Sequence, residues 1–258
     1  MNNLRVALKE GRVAVGTWLS SGSPVVAELL AQCGYDFVCV DAEHSAVDLP
    51  QVQQLFQAIK SGSPECAAVV RLHGVDYALV KRFMDAGARG VICPLINTRA
   101  DAELFVSAVK YPPTGNRGVG FCRANAYGLR LEDEFKKAND EVLTAVQIEH
   151  VTGAANIEEI VAVPGVDAVF IGPYDLSASM GITGQFQHPD YVAARERILK
   201  VCADRGVPVG IHVIQPNPEE LRQRIQEGYR LLAYSLDITM LQSLSRGGIE
   251  AAREIANR

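Results

Sequence analysis

Short runs of β-branched residues alternate with longer stretches of helical spacing eight times along this chain, and few architectures accept that rhythm. Val13–Leu19, Tyr35–Asp41, Ala67–Arg71, Gly90–Pro94, Leu143–Glu149, Ala168–Gly172, Pro208–His212 and Leu231–Ser235 read as strands. Val52–Ile59, Tyr77–Met84 and Pro218–Glu227 have helical spacing, and glycines at 34, 87, 206 and 228 mark helix ends. Strands alternating with helices imply right-handed βαβ units around a parallel sheet. Eight such units predict a (β/α)8 TIM barrel, formed by residues 1–258 as one domain. An open doubly wound sheet is the competitor, but no G-x-G-x-x-G follows the first strand. One segment breaks the rhythm. Tyr111–Asp140 lies between the fourth helix and the fifth strand, and a connection this long is expected to serve function or assembly.

Several function classes fall away early. The formal charge of −5 and the lack of a Lys/Arg block argue against nucleic-acid binding. No apolar run approaches the roughly 20 residues needed to span a bilayer, so no membrane partner is expected. The N-terminus lacks the pattern of a secretory signal. Six scattered cysteines without a C-x-x-C pair argue against disulfides or thiolate zinc. The cytoplasm is the expected compartment.

In such barrels the reacting groups gather at the C-terminal ends of the strands. The second strand ends in Asp41-Ala42-Glu43-His44, the third in Arg71, and the fifth in Gln147-Ile148-Glu149; Gly172-Pro173-Tyr174-Asp175 follows the sixth. Glu149 and Asp175 are the metal candidates, since two carboxylates suit Mg2+, Mn2+ or Co2+. The plain structural alternatives are a solvated strand end for Glu149 and a helix N-cap for Asp175. Gln147 and Glu149 lie two apart and share a face; His150 points away and is not a ligand. His44 is the base candidate, with Glu43 placed to orient a water. Arg71 can stabilise a developing enolate oxygen, or be a surface cation. Asp85 reads from the residues alone as an exposed helix-end carboxylate. His73, His188 and His212 receive no chemistry, although His212 ends the seventh strand on the rim.

Five motifs occur in one order: Gly16-Thr17-Trp18, Asp41-Ala42-Glu43-His44, Tyr111-Pro112-Pro113-x-Gly115-x-Arg117-Gly118, Gln147-Ile148-Glu149 and Ile171-Gly172-Pro173-x-Asp175-Leu176-Ser177. In this the chain resembles the class II pyruvate aldolases of the HpcH/HpaI family. That group includes 4-hydroxy-2-oxoheptanedioate and 2-dehydro-3-deoxyglucarate aldolases. The resemblance spans about Gly16 to Leu241. It implies reversible cleavage of 4-hydroxy-2-oxo acids to pyruvate and an aldehyde. It assigns the divalent metal to Glu149 and Asp175, the base to His44 and enolate stabilisation to Arg71. Asp85 becomes a carboxylate that raises the basicity of the histidine. Gln147 matches a pyruvate contact, and Tyr174 stands where the family uses a backbone amide near the pyruvate carboxylate. A Tyr departs there from the family's small residue or Asn. The resemblance also implies a homohexamer, with Leu236–Ala256 as a last helix packing on a neighbouring subunit. The rivals are a CoA-thioester lyase like the citrate lyase β-subunit, a non-catalytic barrel used for binding or assembly, and a phosphoenolpyruvate-handling barrel, which lacks its phosphate cradle here.

Overall fold

In the computed structural model, which describes residues 3–256, eight parallel strands pair in sequence order and close into a barrel. They are β1 (Ala14–Leu19), β2 (Phe37–Asp41), β3 (Ala67–Arg71), β4 (Gly90–Cys93), β5 (Leu143–Ile148), β6 (Ala168–Ile171), β7 (Val209–Val213) and β8 (Leu231–Leu236). Each matches a run expected from the sequence to within a residue or two. The reason is physical: strands covered on both faces read as nearly unbroken apolar runs.

Side chains alternate between two cores. One face of each strand meets the helix layer: Val38, Val40, Val70, Val91, Val146, Val169, Ile171 and Ile211 join the helical residues in the larger cluster. The other face fills the barrel with Phe37, Cys39, Val69, Ile92, Leu143, Ala145, Phe170 and Leu231. Glycines make room for the two phenylalanines inside. A Cβ on Gly210 would stand 2.6 Å from the Phe170 ring and 2.6 Å from the Leu231 carbonyl. The short helix Leu4–Lys9 closes the N-terminal end of the barrel with Leu4 and Leu8, which belong to the interior cluster.

The long connection after the helix Arg99–Val109 contains a 3-10 segment at Arg123–Gly128 and a helix at Leu131–Glu141. It lies against the outside of the helix Tyr77–Asp85. The Asn116 carbonyl accepts from Tyr77 Oη (2.7 Å), and Arg123 Nη1 donates to the Ala86 carbonyl (2.9 Å). Lys110 Nζ ties both ends, donating to the carbonyls of Asn139 (3.0 Å) and Val142 (2.8 Å). Val119, Phe121, Tyr127 and Leu129 are left exposed.

The last helix, Asp237–Ala256, leaves the barrel. Only Asp237 of its residues is buried, while Ile238, Leu241, Leu244, Ile249 and Ile255 are exposed. Asp237 fastens its base: Oδ1 accepts from the Ser20 amide (2.9 Å) and Oδ2 from the Ser21 amide (3.0 Å). No helix among the described residues is long and apolar enough to cross a membrane.

Candidate active site

The inward face of the barrel changes from apolar to polar at its C-terminal end. Strand alternation carries Trp18, Asp41, Arg71, Gln147 and His212 inward, each two residues beyond an interior apolar or glycine position. These side chains form the floor of the mouth, and Glu149 stands just above Gln147.

Glu149 is only 4 % exposed. Its Oε1 accepts from the Leu95 amide (2.7 Å), and Gln147 Nε2 donates to Oε2. Leu95 reaches this position with φ +57°, a left-handed conformation that few leucines adopt. Burial raises the Glu149 pKa, the hydrogen bonds from Gln147 and Leu95 oppose the rise, and the Asp175 carboxylate adds to it. Asp175 itself is exposed, in the first turn of the helix Pro173–Ser179. Its side chain does not cap that helix: the N-cap is Gly172, with no side-chain cap bond.

Do these residues suit a divalent cation? Gly172 supplies the sharpest observation. A Cβ there would come within 2.9 Å of Glu149 Oε2, so the glycine keeps open the space over this carboxylate. Two neighbouring carboxylates repel, which adds to the larger effect of burial on the Glu149 pKa, and a cation between them would relieve that repulsion. Among the described residues no group of three or more His, Cys, Asp or Glu is placed to hold a metal. The protein thus offers two hard oxygen donors and leaves the remaining positions to substrate and water. The donor set fits.

Arg71 is more constrained than the sequence implied. Its Nε and Nη2 donate to Asp41 Oδ1 (3.0 Å) and Oδ2 (2.7 Å), a two-pronged pair that fixes the guanidinium plane. Nη1 stands 3.1 Å from Glu43 Oε2, an ion-pair contact without hydrogen-bond alignment. The guanidinium also lies 5.7 Å from the Trp18 ring centroid. Burial lifts the Glu43 pKa to about 6 against the pull of Arg71. Asp41, whose motif alone assigns it no role, therefore sets Arg71's geometry. His44 is 65 % exposed at the rim, 3.8 Å from Glu43.

Asp85 is not brought to His44 within one chain. The helix Tyr77–Asp85 starts near the rim and runs back toward the beginning of β4, a rise of about 13 Å, so Asp85 ends near the opposite end of the barrel. There it accepts from Arg117 Nη2 (2.8 Å), a buried guanidinium stacked on Tyr111. Tyr174 is half-exposed, edge-on to Phe186 with ring centroids 5.0 Å apart, and forms part of the mouth's wall. His150 turns away and caps the next helix, accepting from the Thr152 amide (3.1 Å).

His212, to which the sequence alone assigns no chemistry, stacks on Trp18 with ring centroids 5.0 Å apart at 23°, and its Nε2 lies 3.0 Å from the Ser235 carbonyl. Burial lowers its pKa from 6.5 to about 4, the Ser235 contact opposing and Arg71 assisting. Between pH 6.5 and about 4 the unfolded chain binds a proton that the folded chain refuses. The stability this residue contributes is complete above pH 6.5 and is lost as pH falls through that window. We expect His212→Asn to remove a pH-dependent component on the order of 3 kcal/mol. Urea unfolding of both proteins at pH 7 and pH 4.5 measures it; parallel pH profiles would contradict it.

The chain is similar over nearly its whole length to known proteins. A family model described as HpcH/HpaI aldolase/citrate lyase matches residues 14–243. A hydroxypyruvate/pyruvate aldolase of Roseobacter denitrificans is 34% identical over 93% of this chain and 93% of its own. A 4-hydroxy-2-oxo-heptane-1,7-dioate aldolase of Escherichia coli is 38% identical over 93% of this chain and 90% of its own. The crystal structure of an HpcH/HpaI aldolase/citrate lyase family protein from Burkholderia cenocepacia superposes with a TM-score of 0.92 at 39% identity, covering 98% of this chain and 100% of that one.

Proposed function

The chain belongs to the HpcH/HpaI aldolase/citrate lyase family, and from that premise we propose that it is a divalent-metal-dependent aldolase. It cleaves 4-hydroxy-2-oxo acids reversibly to pyruvate, or a substituted pyruvate, and an aldehyde. The observation that carries this reading is the buried Glu149 carboxylate under the open space at Gly172, with Asp175 beside it and the clamped Arg71 in the same mouth. Glu149 and Asp175 would hold Mg2+, Mn2+ or Co2+. When bound, such an ion polarises the 2-oxo group and offsets charge on its oxygen as the carbon–carbon bond breaks.

The chain's own residues do the rest. His44 takes the proton of the 4-hydroxyl, directly or through a water that Glu43 orients. As the C3–C4 electron pair moves toward C2, the aldehyde departs and an enolate is left. Arg71 faces the enolate oxygen with a charge whose orientation Asp41 has already fixed, so little reorganisation is needed. Protonation at C3 yields the oxo acid. Gln147 contacts the pyruvate unit, and the Tyr174 amide lies near its carboxylate while the ring narrows the mouth. No lysine is required for a Schiff base.

A pyruvate-release assay over a panel of 4-hydroxy-2-oxo acids and divalent metals tests the proposal. Turnover of CoA thioesters with none of the free acids would overturn it in favour of a CoA-thioester lyase.

The reading extends to assembly. The apolar face of Asp237–Ala256 needs cover, and Asp85 can serve His44 only from a neighbouring subunit; both fit a homohexamer. We expect Leu244→Asp to convert the assembly to smaller species and to cut specific activity at least about tenfold, since each helix would carry a charge into its apolar contact. Light scattering read with the activity checks this; an unchanged mass would reject the swapped helix.

A further inference from the structure

We propose that the outside of the barrel carries a second binding site, between the helices Pro189–Asp204 and Pro218–Gln226, that takes a hydroxylated monocarboxylic acid with its carboxylate on Arg195 and Tyr229. The inference is independent of the aldolase reading, because no residue of this site belongs to the barrel's mouth.

Arg195 is the starting point. The helix Pro189–Asp204 turns Tyr191, Ile198 and Cys202 inward, all three buried, and helical spacing puts the half-buried Arg195 on the same stripe. A guanidinium in such a place is expected to face a carboxylate. Among the described residues none pairs with Arg195, and its Nε is buried without a hydrogen-bond partner. Two other buried donors share that condition, the Nε of Arg224 and the hydroxyl of Tyr229, a residue with 0 % exposure. The three are neighbours. Arg195 and Arg224 line one pocket of about 470 Å³. Burial raises the pKa of the Tyr191 and Tyr229 hydroxyls, and of the charges around both, Arg195 opposes the rise most. Buried donors left without acceptors are costly. Two guanidiniums and a phenol around one space are the complement of an oxyanion.

The rest of the pocket narrows the class. Arg224 is already engaged, its Nη1 with Glu227 Oε2 (3.0 Å) and its Nη2 with Glu220 Oε1 (3.0 Å), and Glu219 pairs with Arg222. Arg195 is therefore the one guanidinium of the pocket left to pair with a ligand, and it matches a single negative charge. A phosphate dianion would set its second charge against Glu219, Glu220 and Glu227. No apolar side chain lines the pocket. Its wall carries the amides of Gln187, Asn217 and Gln223, which can donate and accept, beside carboxylates that accept. Such a wall suits hydroxyl groups and offers nothing to a hydrocarbon chain. A carboxylate at one end and hydroxyls along the rest satisfy both parts.

The test is calorimetric titration of the wild-type chain, freed of divalent metal so that the mouth offers no cation to chelate, with D-gluconate as the probe. We expect one saturable site with a dissociation constant on the order of 1 mM or tighter. Glucitol, which has the hydroxyls without the carboxylate, and inorganic phosphate should each bind at least about tenfold more weakly. Arg195→Met should weaken gluconate binding at least about tenfold while leaving the thermal midpoint unchanged or raised, since an unpaired inward charge is exchanged for an apolar side chain. Tyr229→Phe removes a hydroxyl that has no partner to lose, so it should fold as the wild type does and weaken gluconate about three- to tenfold; it keeps the test open if the Arg195 protein does not fold. No saturable binding of gluconate would leave the three donors to water and overturn the inference. Gluconate binding unchanged in both variants would place the acid elsewhere and overturn it as well. Phosphate binding as tightly as gluconate would overturn the ligand class.

Discussion

Glu149→Gln should abolish turnover, lowering kcat/KM by about 10^3-fold or more, with the fold intact. The side chain is nearly isosteric, and its oxygen can still accept from the Leu95 amide. What disappears is the anionic donor beneath the Gly172 space, one of the two carboxylates proposed to hold the metal. Since the remaining positions are left to substrate and water, losing one protein ligand should also weaken metal affinity by one to two orders of magnitude. Activity titrated against Mn2+ and an unfolding curve without metal separate the two effects. The wild-type Glu149 also sits buried beside Asp175, which raises its pKa. Removing its charge should therefore leave the metal-free protein as stable as before, or more so. Unchanged activity and metal dependence would dismiss the two-carboxylate site.

Arg71→Ala should damage both fold and chemistry. Asp41 is almost wholly buried and relies on Arg71 for two charge-assisted bonds, and Glu43 relies on the same guanidinium. Breaking a buried pair from one side leaves an uncompensated charge, at a cost of about 3 kcal/mol or more. Loss of the fixed cation facing the enolate should lower kcat by about 10^2- to 10^3-fold. Arg71→Lys should recover stability in part but little activity, because an ammonium cannot bond both Asp41 oxygens and keep its place over Trp18. Adding Asp41→Asn to Arg71→Ala should restore stability without restoring rate. Wild-type rate in Arg71→Ala would remove the residue from the mechanism.

Much of this was legible in the chain because barrels repeat one simple pattern. The strands announced themselves as buried apolar runs, and alternation within β5 placed Gln147 and Glu149 on one face. The short helix Leu4–Lys9 went unread, since six residues are too few to display a period, although Leu4 and Leu8 finish the interior. Asp41 sat in plain view, but its partner is 30 residues away and becomes its neighbour only through the β2–β3 register Asp41↔Arg71. The same two-residue period that placed Glu149 places His212 inward beyond Gly210, in line with its expected place at the rim end of the seventh strand. The register shift between β1 and β8 near Ser235 left no such signal, because a register shift belongs to a pair of strands. Asp85 shows the opposite limit: the resemblance pairs it with the histidine, while its own helix carries it to Arg117, away from the rim.

The two hydrogen bonds that Asp237 accepts from the Ser20 and Ser21 amides have a mechanical consequence. One carboxylate joins the loop that leaves the first strand to the base of the helix that leaves the last. A tilt of that helix by whatever covers its apolar face must drag the carboxylate, and with it the loop just beyond Trp18. Docking of the helix and the shape of the barrel's mouth are thus a single lever with Asp237 as its fulcrum.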